Sequence, residues 1–216
     1  MSMFRLAAAL GLCGTVIAAS HLGLAAEQSN SCVVRLAQGG ILAEPLPAPV
    51  KATDPACSIN EPVILVSIAD PALPERRIMF PDRPVLSCAM AERFARFAGD
   101  IAAPLALGIH GKELVSIATG PGYECRARNR QPGAKLSSHG QGNAVDIAVI
   151  TLWGGLKISV QKPDDALTVR FIAGLRAAAC GAFNTVLGPG SDAAHADHLH
   201  LDIEARGRDG QSKLCQ

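Results

Sequence analysis

The chain has six histidines, and three of them, His195, His198 and His200, fall in the short stretch HADHLHLD. Imidazole can take a proton, give one, or bind a metal near neutral pH, so their companions matter. Read as a strand, HLHLD places His198, His200 and Asp202 on one face and Leu199, Leu201 and Ile203 on the other. A second segment, NAVDIAV, has the same design, with Asp146 facing away from Val145 and Ile147. If the two strands are neighbours in one sheet, Asp146 and His200 converge. His139 stands seven residues before Asp146, in SSHGQGNAVD, where Gly140 and Gly142 let the chain turn before the strand.

His139, Asp146 and His200 would supply two nitrogens and one carboxylate oxygen to one Zn²⁺ ion, leaving a fourth position for water. Metal-held water is a usable nucleophile near neutral pH. His198, two residues before a ligand and on the same face, is placed to take a proton or to stabilise an oxyanion. His195 would orient His198 or add a donor. Asp197 would fix a histidine tautomer, and Asp202 would do the same or lie exposed. A histidine-rich loop is often only solvated. Here, however, the two segments hold four of the five histidines left once His21 is removed with the leader described next. His110, in GIHGK, is assigned to an ordinary loop, Trp153 to packing in a turn, and Lys112 and Lys135 to the surface.

The N-terminus carries a positive charge, an apolar core and small residues near Ala25 and Ala26. It reads as a signal peptide over residues 1–26, too short for a span of ~20 apolar residues; an uncleaved anchor is the alternative. Its removal takes Cys13 and leaves Cys32, Cys57, Cys88, Cys125, Cys180 and Cys215. An even, scattered set without a CxxC pair in an exported chain predicts three disulfides rather than a zinc knuckle. Net charge is +1 and aromatics are 4%. Neither a basic phosphate-binding patch nor a stacking platform is present, so no nucleic-acid partner is expected.

Residues 27–56 are rich in Pro and Ala and are expected to be extended and irregular; 57–216 would form the domain. EPVILVSI and ELVSIAT read as strands, and AVDIAVI as one strand that LKISV can join across the Trp-Gly-Gly turn. The spacing of Cys88, Ala91, Phe94, Ala95, Ala98 and Ile101 predicts a helix that Pro104 interrupts and that Gly108 and Gly111 close. DDALTVRFIAGLRAAACG predicts a second helix, with acids at its start and Gly181 at its end. FNTVLG and LHLDIE complete a mixed pattern without a βαβ rhythm, which is α+β.

SxHxxGxAxD followed by a histidine-rich strand resembles the zinc peptidases of the hedgehog/D-Ala-D-Ala-peptidase (DD-peptidase) fold. These include D-Ala-D-Ala carboxypeptidases and dipeptidases, penicillin-insensitive murein endopeptidases and lysostaphin-type enzymes. GYECRARN, SSHGQGNAVDIA, AACGAFNTVLGPG and HADHLHLD together resemble, over Cys32 to Cys215, the bacterial extensin-like C-terminal domain family. The resemblance implies a small antiparallel sheet carrying the metal site, flanked by helices. The spacing of His195, His198 and His200 is similar to that of the murein endopeptidases, in which the last histidine binds zinc and the earlier two serve catalysis. It also implies that Arg126, in GYECR, helps hold substrate, although it stands two residues further on than the Gly-Tyr-Arg pattern of the carboxypeptidases.

The expected function is that of a periplasmic or secreted zinc metallopeptidase acting on peptidoglycan stem peptides. The alternative is a zinc-containing module of the same fold that binds wall peptides or a partner without cleaving. The expected disulfides are Cys125–Cys180, holding the site loop, Cys57–Cys88, pinning the first strand to the first helix, and Cys32–Cys215, closing the ends.

Overall fold

The computed structural model describes residues 32–216 apart from positions 49, 51, 53, 162 and 164. The expected leader, 1–26, lies outside the described residues. A helix, α1, covers residues 32–38. Strands β1 (Ile41–Pro45), β2 (Pro62–Ala69), β3 (Arg77–Met79) and β4 (Val85–Ser87) lead into helix α2 (Cys88–Arg96). A π-helical stretch (Phe97–Ala102) joins α2 to α3 (Ala103–His110). Then come β5 (Leu114–Ala118), β6 (Ala144–Ile147), β7 (Val149–Leu152), β8 (Leu156–Ser159) and α4 (Ala166–Ala182). Strands β9 (Thr185–Leu187), β10 (Leu199–Asp202) and β11 (Leu214–Cys215) end the chain.

The strands form two sheets. The larger runs β1-β2-β3-β5-β7-β8, with β4 also on β2, and the smaller runs β11-β9-β10-β6. Strand β2 holds its central place with Val63, Ile64, Val66 and Ile68, β-branched side chains that suit a strand packed on both faces. Helix α2 is capped by Ser87, whose Oγ accepts from Met90 N, and buries Met90, Ala91, Phe94 and Ala95. Phe94 packs on Phe80, and Phe97 meets Phe183 edge-on across the core. Helix α4 is capped by Asp165, which accepts from Leu167 N and Thr168 N. The interruption expected at Pro104 is a π-helical stretch. Proline offers no N–H to the ladder, and the turn before it widens so that Ala103 N reaches Ala98 O.

Several expectations are corrected. The segment expected to be irregular between 27 and 56 holds α1 and an edge strand of the larger sheet. AVDIAVI is two strands, β6 and β7, in different sheets. Ala148 marks the switch, with its N–H given to Ala118 O of the larger sheet. Its apolar run reads as continuous because no glycine, proline or polar residue separates the two strands. LKISV does pair with β7, as β8. His110 is the last residue of α3, stacked edge-on against Phe171, and not in a loop. Trp153 lies in the β7–β8 turn but is 56% exposed, with the Arg76 guanidinium over its ring.

All three expected disulfide pairings are replaced. The bonds are Cys32–Cys88, Cys57–Cys125 and Cys180–Cys215. Helix α1 carries Cys32 to the start of α2, so Cys88 is taken by Cys32 instead of Cys57. Strand β11 lies parallel to β9 and brings Cys215 beside the end of α4, so Cys180 is taken by Cys215. Cys57 is left for Cys125. Lys213 closes the same corner, donating to the Cys180 and Gly181 carbonyls.

Candidate functional site

Strands β6 and β10 are antiparallel neighbours, and the register sets Asp146 directly opposite His200. Leu199, Leu201, Val145 and Ile147 are fully buried on the apolar side. The polar side carries the chemistry. His139 arrives from a 3-10 turn (Ser138–Gln141) immediately before β6. Gly142 makes that approach possible. It has φ +65°, and a Cβ there would meet the Ser87 backbone nitrogen at 2.8 Å.

Three donor atoms form a near-equilateral triangle. His139 Nε2 stands 3.2 Å from His200 Nδ1 and 3.3 Å from Asp146 Oδ1, and His200 Nδ1 stands 3.0 Å from Asp146 Oδ1. Donors ~2.0–2.2 Å from a tetrahedral zinc stand ~3.3–3.6 Å apart, so the three atoms are grouped, slightly more closely than that, as residues that could hold a metal ion.

The tautomers agree with this reading. His139 Nδ1 lies 2.7 Å from the Gly122 carbonyl, which can only accept, so Nδ1 carries a hydrogen and Nε2 is the atom that would offer a lone pair to a metal ion at the site. Gly122 has φ +76°, and a Cβ there would meet the Val85 carbonyl oxygen at 2.7 Å. His200 Nε2 faces Asp202 Oδ2 at 3.4 Å, which leaves Nδ1 as the inward atom. Two ring nitrogens and a carboxylate oxygen thus point at one spot, an arrangement that requires a proton or a cation between them.

The electrostatics say what fills that spot in the absence of metal. Burial pushes His200 down, but hydrogen bonds to Asp146 and Asp202, with their charges, outweigh it and raise its pKa to about 9. Burial pushes Asp146 up, yet hydrogen bonds and charge from His139 and His200 hold it well below the usual carboxylate range. Asp202 is likewise held low, its burial outweighed by His200. Behind Asp202 a polar chain continues. Ser138 Oγ lies 3.1 Å from Asp202 Oδ2 and 3.0 Å from Glu204 Oε2, and Arg128 clasps both Glu204 oxygens at 2.8 and 2.6 Å.

His198 Nε2 lies 3.5 Å from Asp146 Oδ1, beside the triangle. Its Nδ1 is held by Asp197 Oδ1 at 2.8 Å, so Asp197 performs the orienting role that the sequence left open between it and His195. His195 donates Nδ1–H to Asp192 Oδ1 at 2.7 Å. Burial, with the His200 and His198 charges, outweighs Asp192 and keeps His195 below the usual histidine range. Its ring centre is 5.3 Å from that of His198 and 5.5 Å from that of His200. Arg126 lines the same cavity as His195 and His200, but its Nε is 2.8 Å from Glu124 Oε2 and it does not touch the triangle.

Two cavities flank these histidines. One, of 150 Å³, is bordered by His195, His200, Arg126, Arg128 and Arg206. The other, of 220 Å³, is bordered by His139, Asp146, His198, Asp197 and Glu124. Asp192, Ser138, Glu204, Arg206 and the Gly122 carbonyl were not identified from sequence. Asp192 alone left a local signal, an acid three residues before a histidine, where it caps the 3-10 turn Ala193–His195.

An α+β fold with a two-histidine, one-carboxylate cluster on its smaller sheet is the class of protein defined so far. Residues 30–216 match the family described as Extensin-like protein C-terminus, and the chain belongs to that family. No curated protein and no solved structure matches the chain. Three disulfides fit an oxidising compartment. Among the described residues no helix is long and apolar enough to cross a membrane.

Proposed function

We propose that this protein is an exported, periplasmic or secreted, zinc-dependent peptidase of the hedgehog/D-Ala-D-Ala-peptidase fold group, acting on peptidoglycan stem peptides. His139, Asp146 and His200 would hold one Zn²⁺. The observation that carries the reading is their triangle of donor atoms, 3.0–3.3 Å on each side, with the Gly122 carbonyl on Nδ1 of His139 and Asp202 facing Nε2 of His200, so that the other nitrogen of each ring faces inward. When bound, zinc would supply a Lewis acid and a water of lowered pKa.

The chain's own residues account for the proton. With Asp197 on Nδ1, His198 would present Nε2 as a base toward the same side as Asp146. It would take a proton from the attacking water and hand it to the amine nitrogen as the C–N bond breaks. Arg126 and His195 stand along the neighbouring cavity, where they would contact substrate rather than the ion.

The test is zinc stoichiometry together with product release from purified sacculi. One zinc per chain and new amine ends are expected, both lost in His200→Ala. His198→Gln should keep the zinc and lower kcat by about 10²–10⁴-fold. No zinc at equimolar level, or full activity in His200→Ala, ends the proposal. Zinc and tight sacculus binding without product would instead make the protein the non-catalytic wall-binding module.

A further inference from the structure

The cavity bordered by His195 and His200 has a charge pattern that the metal cluster does not explain. Three arginines line it, and two of them are already committed. Arg126 pairs with Glu124, and Arg128 with Glu204. The cavity's own acids are also engaged, Asp192 by His195 and Asp202 by His200. Arg206 differs. Its Nη1 is anchored 3.1 Å from Thr185 Oγ1, on the cavity wall, and among the described residues it pairs with no carboxylate. A guanidinium has five N–H donors in a planar fork, and only one of these is spent on a protein side chain. The opposite cavity is bordered by Glu124, Asp146 and Asp197 and by no Lys or Arg. The cleft is therefore polarised across the donor triangle.

We propose that Arg206 is the carboxylate anchor of this cavity. It would select a peptide whose free carboxylate lies on the residue next to the amide held at His139, Asp146 and His200. A planar carboxylate is the anion that matches the fork in two parallel hydrogen bonds. Because His200 both borders the cavity and supplies a donor of the triangle, a carboxylate seated here would belong to the same peptide as the amide held there. Where that carboxylate is the peptide's terminal one, the activity would be directed to peptide ends rather than to the interior of cross-linked strands. The inference rests on the peptidase reading for its orientation, but the anion pocket itself is testable alone. A stem-type peptide offers two sources of the group, its terminal carboxylate and a side-chain carboxylate.

The experiment measures the binding, by calorimetry, of three versions of one stem-type peptide to the full zinc-loaded protein. The first has a free terminus and an amidated side chain, the second the reverse, and the third is amidated at both. One of the two acids is expected to bind about 10- to 100-fold tighter than the diamide, and which one it is identifies the source. Arg206→Gln should level the three, with zinc content and Tm retained. If that variant does not fold, Arg206→Lys, which keeps the charge and loses the fork, must still reduce the preference. Equal binding of all three peptides, or a preference that survives Arg206→Gln, overturns the proposal. Turnover of the same peptides separates the two claims. Preference without turnover refutes the peptidase and leaves the anchor standing, and turnover without preference does the reverse.

Discussion

Asp202 would decide how well His200 serves as a ligand of the proposed zinc. It is 3% exposed, faces the outer nitrogen of the ring, and is itself held by Ser138 and by the Glu204 backbone N–H. Asp202→Asn should keep one zinc per chain but weaken its binding by about 10- to 100-fold, read by competition with a chelator. Acidity acts on the same atoms. His200 in the metal-free protein is raised from its ordinary value of 6.5 to about 9. A raised pKa stabilises the fold fully below pH 6.5 and ceases to do so as pH rises through about 9, a contribution on the order of 3 kcal/mol. The lowered Asp146 and Asp202 act in the opposite sense, stabilising above their unfolded values near 4 and losing that as pH falls. These are the same ion pairs seen from each partner, so they are not summed. Metal-free protein should therefore melt highest between about pH 4 and 6.5. Zinc held as proposed would have to displace the His200 proton, so its apparent affinity should rise about tenfold per pH unit from pH 7 toward 9. A flat affinity profile over that range would contradict the assignment of Nδ1 as the inward atom.

At the scale of elements, the site depends on two backbone crossings that only glycine permits. Gly122 brings its carbonyl to His139 while passing over Val85, and Gly142 passes over Ser87. Gly122→Ala combines a positive φ with a 2.7 Å approach to a backbone oxygen. It should cost about 1–3 kcal/mol by thermal or denaturant melting, and it should weaken zinc binding because His139 loses its tautomer partner. Gly142 was legible in the sequence as a turn before a strand. Gly122 was not, because its role is set by Val85, 37 positions away. Strands β6 and β10 were legible because a period of two, with a lone polar group among apolar neighbours, matches the pleat of a half-buried strand and not the 3.6-residue turn of a helix. The break between β6 and β7 was not legible. The residues across it, Ile147 to Ile150, are all apolar, so no turn or breaker residue marks the position at which the chain changes sheets.

Over the whole molecule, the three disulfides divide the work. They close loops spanning 56, 68 and 35 residues, each a constraint of about 4 kcal/mol on the unfolded chain. Only Cys57–Cys125 touches the site region. Cys125 neighbours Glu124, whose N–H reaches the His139 carbonyl, and a Cβ on Gly140 would stand 3.1 Å from Cys57 Sγ. Replacing Cys57 and Cys125 together by serine should lower both Tm and zinc affinity. Replacing Cys180 and Cys215 together should lower Tm and leave zinc affinity unchanged. Equal effects on zinc would mean that the second bond also shapes the cluster.

Sequence alone determined the local half of this protein. Alternation within HLHLD and NAVD, the count of cysteines and the acids at the start of α4 are short-range facts, written in neighbouring residues. Only the tertiary structure decided which cysteine meets which, that residues 32–38 are helical, and that Asp192, Glu204 and Arg206 join the histidines. Those outcomes follow from packing between segments tens of residues apart, where many arrangements satisfy the same local pattern and the burial of the whole core selects one.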